Sequence, residues 1–166
     1  MRSALPRPAS AAWTALTLLG SGACGGGAGA GTAAPAGPSE PEEVVFAPEL
    51  GIDLTSMERT SSGLYVQDLR GGDGFAAQRG SLVAVHYVGY LPDGTIFDAS
   101  AGGEPLRFRL GGNEVIRGWN QGIPGMRVGG LRRLVVRPSL AYGSRGRGRV
   151  PPSTTLVFDV QLLDVR

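Results

Sequence analysis

From residue 63 onward, apolar and polar positions alternate with a period of two, and glycine-rich turn signals interrupt the runs. This is the pattern of short, half-buried strands. The runs are residues 63–69 (GLYVQDL), 81–91 (SLVAVHYVGYL), 95–100 (TIFDAS), 105–111 (PLRFRLG), 131–138 (LRRLVVRP) and 154–165 (TTLVFDVQLLDV). Val83, Val85 and Tyr87 fall on one face of the second run, leaving His86 on the other; Leu156, Phe158, Val160 and Leu162 share one face of the last. Pro92-Asp93-Gly94 is a turn, since proline presets φ and glycine supplies φ > 0. One segment breaks the alternation. In residues 113–126 (NEVIRGWNQGIPGM), Ile116, Trp119 and Ile123 recur at spacings of three and four, the signature of one helical face. Gly111-Gly112 and Gly125 bound it as turn or cap residues. A helix of about two turns is marginal alone in water, so packing must hold it. The expectation is an α+β fold: an antiparallel sheet of five to six strands against one short helix.

The first forty residues follow neither period. Arg2 and Arg7 precede an apolar run at residues 11–19 and then small residues, the layout of an export signal. The run is shorter than the roughly 20 residues a spanning helix needs. Cys24 follows Ser21-Gly22-Ala23, which resembles the lipobox of bacterial lipoproteins, although a leucine is usual where Ser21 stands. Cleavage after Ala28-Gly29-Ala30 is the alternative; lipidation at Cys24 is the expectation, because an unpaired thiol is a liability in an oxidising compartment. The organisation expected is a signal over residues 1–24, a disordered Gly/Ala/Pro/Glu-rich linker over 25–45, an N-terminal extension over 46–61 and a domain over 62–166. Residues 40–59 carry six acids and one arginine, and read as a solvated tether.

Composition narrows the chemistry. All 16 basic residues are arginine, so lysine Schiff bases and a P-loop lysine are excluded. With one histidine, His86, and one cysteine, Cys24, an intramolecular disulfide is impossible and a zinc site is disfavoured. No G-x-S-x-G elbow is present. Residues 60–166 hold thirteen arginines against eight acids. Arg145, Arg147 and Arg149 alternate with glycines and read as a mobile loop, with an anion-binding patch as the alternative; no aromatic interleaving points to nucleic acid.

Five strings in order, VHYVGYLPDGTIFD, EVIRGWNQGI, MRVGG, LAYGSRG and PPSTTLVFDVQLLDV, resemble the FKBP family of peptidyl-prolyl cis-trans isomerases over residues 62–166. The resemblance implies a half-barrel antiparallel sheet wrapped around one short helix. It implies a pocket with Trp119 as floor and Tyr87, Phe97, Phe108, Val115, Ile116 and Phe158 as walls, with Leu106 and Val150 also contacting substrate. Tyr142 would donate its hydroxyl, and Ile116 its backbone N–H, to substrate carbonyls, with Asp98 on the rim beside Tyr87. Leu106 stands where an aromatic is frequent, Arg149 where an apolar residue is common, and residues 99–104 lack the arginine that often pairs with the rim aspartate. The implied partners are proline-containing polypeptides and macrolide inhibitors. No cofactor or nucleic acid is implied, and the expected unit is an exported monomer, held in the periplasm or at the outer membrane of a bacterial envelope through lipidated Cys24, and otherwise secreted.

That chemistry suits these residues. Amide resonance opposes rotation by ~18–20 kcal/mol, while the X–Pro isomers differ by only about 0.5–1 kcal/mol. Rotation breaks no bond and needs no nucleophile. A dry aromatic pocket withdraws the water that favours the planar, polar amide and selects the twisted one. The alternative is a binding module of the same fold with little turnover.

Overall fold

The computed structural model describes residues 40–166; the expected signal, lipidated Cys24 and residues 25–39 of the linker lie outside them. Seven strands form one antiparallel sheet: β1 (Glu58–Arg59), β2 (Tyr65–Arg70), β3 (Leu82–Tyr90), β4 (Ile96–Ala99), β5 (Leu106–Arg109), β6 (Leu131–Val136) and β7 (Leu156–Val165). Their order is β1-β2-β6-β7-β3-β4, with β5 also pairing β3. β4 meets residues 88–90 of β3, and β5 meets residues 82–85. The two short strands therefore share one margin of β3, one after the other. All six alternating runs contain strands; β1, two residues long, is the addition.

Among the described residues one α-helix, α1 (Arg117–Gly122), packs against β6. It is shorter than the sequence periodicity implied: Ile116 is its extended N-cap and Ile123 its C-cap. Gly118 and Gly122, four apart, face the sheet. A Cβ on Gly118 would lie 2.6 Å from Val136 Cγ1, and one on Gly122 2.6 Å from Leu134 Cδ2. Two bare turns thus let the backbone sit directly on β6, offsetting the roughly 1 kcal/mol that each glycine costs a helix. Arg132 closes the C-terminal end, donating to the carbonyls of Gly122 (2.8 Å) and Pro124 (3.3 Å) while Asp68 grips its guanidinium from β2. These carbonyls have no partner inside the helix.

The core on the α1 side of the sheet joins Leu64, Val83, Val85, Phe108, Trp119, Ile123, Leu134, Val136 and the alternating β7 residues Leu156, Phe158, Val160 and Leu162. The opposite face is covered too, which corrects the reading of residues 40–59 as a solvated tether and of residues 40–45 as linker. Pro41 and Leu50 are buried, and Leu50 and Met57 cluster with Tyr65, Val135 and Val157, against which Phe46, Ile52 and Leu54 also pack. Two of the six acids are held by arginines: Glu40 with Arg137 at 2.5 Å, and Glu42 with Arg59 at 3.1 Å and with the Tyr65 hydroxyl at 2.7 Å. Arg133 opposes Asp159 across β6 and β7 in a bidentate pair at 2.6 and 2.7 Å, and also donates to the carbonyl of Leu50. This strap explains why Val135 and Val157, on the face away from Leu134 and Phe158, are buried as well.

Candidate active site

Trp119 is 3 % exposed, and its indole is boxed by three rings. Tyr87 stands edge-on with centroids 4.9 Å apart, Phe158 edge-on at 5.4 Å, and Phe108 tilted at 5.7 Å. Phe97 extends the cluster, edge-on to Phe158 at 5.6 Å. Each such pair contributes about 0.5–1.5 kcal/mol beyond its area, so the indole plane is fixed before anything binds. The arrangement needs Gly89 in β3: a Cβ there would approach Phe97 Cζ to 2.7 Å and Phe158 Cε1 to 3.0 Å.

Above the indole opens a cavity of about 580 Å³, within the roughly 300–1,000 Å³ of small-molecule sites. Of the expected residues, Tyr87, Phe97, Asp98, Leu106, Val115, Ile116, Trp119, Tyr142, Val150 and Phe158 border it. Phe108 does not. It is 1 % exposed and buttresses Trp119 from behind, a correction to its reading as a wall. Asn113, Glu114 and Gly148, which the sequence did not assign to the pocket, border the cavity together with Arg147 and Arg149.

Tyr87 donates its hydroxyl to Asp98 Oδ2 at 2.7 Å, and Ser100 Oγ accepts from the Tyr87 backbone N–H at 3.0 Å while lying 3.2 Å from His86 Nδ1. β3 and β4 thereby fix the phenol ring at the cavity wall. Burial, then the bond to the Asp98 carboxylate, push the Tyr87 phenol well above the usual tyrosine range. Burial also raises Tyr142, against the opposing pull of the Arg147 guanidinium. Both phenols therefore remain protonated donors at neutral pH. The Tyr142 hydroxyl and the Ile116 backbone N–H make no hydrogen bond among the described residues, and both residues border the cavity. Ile116 is held there because its carbonyl starts α1, accepting from Trp119 N at 3.1 Å. Asn120 fastens the turn before the helix, accepting from Gly111 N and donating to the Gly112 carbonyl, both at 2.7 Å.

The 144–150 segment is more structured than a mobile loop. A 3-10 turn at Gly143–Arg145 follows Tyr142, and Arg147 and Val150 exchange two backbone hydrogen bonds at 2.9 Å. Gly148, at φ 56°, supplies the left-handed position that this tight hairpin needs. Val150 anchors it in the core, and the Arg147 guanidinium lies 5.7 Å from the centre of the Tyr142 ring.

Such a site can hold a compact apolar group against the indole and offer two donors to flanking carbonyls. The family model for FKBP-type peptidyl-prolyl cis-trans isomerases matches residues 74–163. FK506-binding protein 4 of Neurospora crassa is 45% identical over 112 residues, covering 68% of this chain and 24% of the relative. FK506-binding protein 3 of Yarrowia lipolytica is 37% identical over 129 residues, covering 78% and 29%. The chain thus spans only about a quarter of the length of these curated relatives. Among solved structures, AtFKBP13 aligns with a TM-score of 0.63 at 41% identity, covering 67% of this chain and 99% of that one. FkpA from Escherichia coli aligns with a TM-score of 0.63 at 42% identity, covering 72% and 55%.

Proposed function

The chain belongs to the FKBP-type peptidyl-prolyl cis-trans isomerase family, and on that premise we propose that it accelerates rotation about X–Pro bonds in folding polypeptides. The observation that carries this reading is the ring box around Trp119 beneath two unengaged donors. The prolyl ring rests on the indole, displacing water. Tyr142 and the Ile116 N–H hold the carbonyls that flank it. Tyr87, Phe97 and Asp98 face the rotating amide, whose carbonyl loses polarity as conjugation breaks. The apolar wall then disfavours the planar form more than the twisted one. Asp98 acts by positioning Tyr87; no proton transfer is required.

Envelope placement is part of the same proposal. It rests on the signal-like residues 1–19 and the lipobox-like setting of Cys24; the curated relatives named above are fungal and lend it no support. The partners are flexible proline-containing chains, macrolides are candidate competitors for the cavity, and the working unit is a monomer. Purified chain is expected to speed cis-to-trans relaxation of a prolyl tetrapeptide in proportion to enzyme concentration. An unaltered relaxation rate at micromolar protein refutes the isomerase reading. Mass spectrometry of the mature N-terminus tests the anchor: a lipid-modified Cys24 supports it, and an N-terminus beyond Ala30 overturns it.

A further inference from the structure

Arg59, Arg132, Arg133, Arg137 and Arg166 each contact a carboxylate, and none of the five borders the cavity. Arg147 and Arg149 border the cavity and are exposed, and neither forms an ion pair among the described residues. The acids of the mouth are engaged locally: Asp98 accepts from Tyr87, and Glu114 Oε1 accepts from the backbone of Arg109 at 3.2 Å. The hairpin bonds between Arg147 and Val150 hold the two arginines at the edge, and the Arg147 guanidinium lies 5.7 Å from the centre of the Tyr142 ring, which borders the same cavity. A glycine at 146 is required for this path, since a Cβ there would fall 2.8 Å from the Pro151 carbonyl carbon.

Arg147 and Arg149 form part of the rim that the sequence neighbours of a proline seated on Trp119 can cross. We propose that Arg147 and Arg149 select X–Pro sites with Glu or Asp within two residues of the proline. The proposal rests on the isomerase reading and specifies its substrate class. Two exposed guanidinium groups with no ion pair among the described residues can pair with a carboxylate without breaking a salt bridge, while the Asp98 and Glu114 carboxylates that border the same cavity oppose the attraction and keep it small. The attraction is screened by salt, and exposed pairs of this kind support a preference of about two- to fivefold.

The test uses the intact chain and uncharged-capped peptides in which Glu, or its neutral isostere Gln, stands two residues before, one before or one after the proline. The readout is the Glu/Gln ratio of kcat/KM, which cancels any general loss of activity. At low salt the ratio is expected to reach about two to five at one position or more, and to fall toward one near 1 M salt. Arg147→Gln with Arg149→Gln brings it to one at low salt, and Arg147→Glu with Arg149→Glu inverts it. Arg145→Gln, in the same run but outside the cavity wall, leaves it unchanged. A wild-type ratio of one at all three positions overturns the proposal, as does a ratio that survives the double Gln variant. Heparin binding without any Glu preference also overturns it and identifies a polyanion site instead. If neither peptide series turns over, the isomerase reading has failed, and calorimetric affinities still decide: tighter Glu peptides uphold selection, and equal affinities sink it.

Discussion

The hydroxyl of Tyr87 donates to the carboxylate of Asp98 across the β3–β4 pair at 2.7 Å, at the edge of the cavity. Burial and this bond raise the phenol's pKa, and burial raises that of Tyr142. A folded-state pKa above the unfolded value of about 10 means that the stability conferred is complete below pH 10 and is lost as pH climbs past it. Urea unfolding at pH 8 and pH 11 is expected to show a steep alkaline loss that is smaller in Tyr87→Phe. Equal losses in the two proteins would contradict the assignment.

Trp119→Leu keeps an apolar side chain but removes the plane boxed by Tyr87, Phe108 and Phe158. Since the Trp119 indole N–H has no partner among the described residues, the variant breaks no hydrogen bond. Prolyl peptide kinetics are expected to show kcat/KM down by at least about tenfold, equivalent to ~1.4 kcal/mol. Thermal unfolding should report a loss of about 3 kcal/mol, typical for truncating a buried aromatic.

Gly89→Ala puts a methyl group against Phe97 and Phe158. Overpacking of this kind costs about 1–3 kcal/mol, and the ring of Phe97, half-buried at the wall, is the one free to yield. Reduced activity with a lowered melting temperature is the expected pair of results. A variant equal to the parent in both would show that the rings do not need this gap.

Asp159→Asn leaves Arg133 without its carboxylate between the sheet and the strap. Breaking a nearly buried pair costs roughly 3 kcal/mol. Because the pair lies on the face away from the cavity, kcat/KM of the folded fraction should be retained. Denaturant titration and peptide kinetics, run side by side, separate the two effects.

How much of this architecture is legible in the sequence depends on which residues carry a periodic signal. Leu156 to Leu162 and Val83 to Tyr87 alternate because one face meets α1, so their strands are legible. The aromatic positions follow from the family resemblance, but alternation cannot tell a wall from a buttress, and Phe108 faces inward just as a wall residue would. The strap escapes for a different reason. Glu40 lies 97 residues from Arg137, and only the β-sheet register brings its counter-charge within reach; along the chain it looks like solvated acid. Asn113 and Glu114 sit in a turn without period, so no pattern marks them as lip residues. The arginine hairpin is visible as a run, whereas its closure by Val150 requires the folded core.

β4 and β5 each hang from a single neighbour, β3, and they stop short of each other between residues 99 and 106. Phe97, Asp98 and Leu106 therefore ride on a margin paired on one side only, while Trp119 and Phe158 belong to the interior. Local opening is least costly at such margins. Amide deuterium should accordingly enter β4 and β5 well before β7. The floor of the cup outlasts its lip, and a bulky polypeptide can push the lip aside without disturbing the base on which its ring rests.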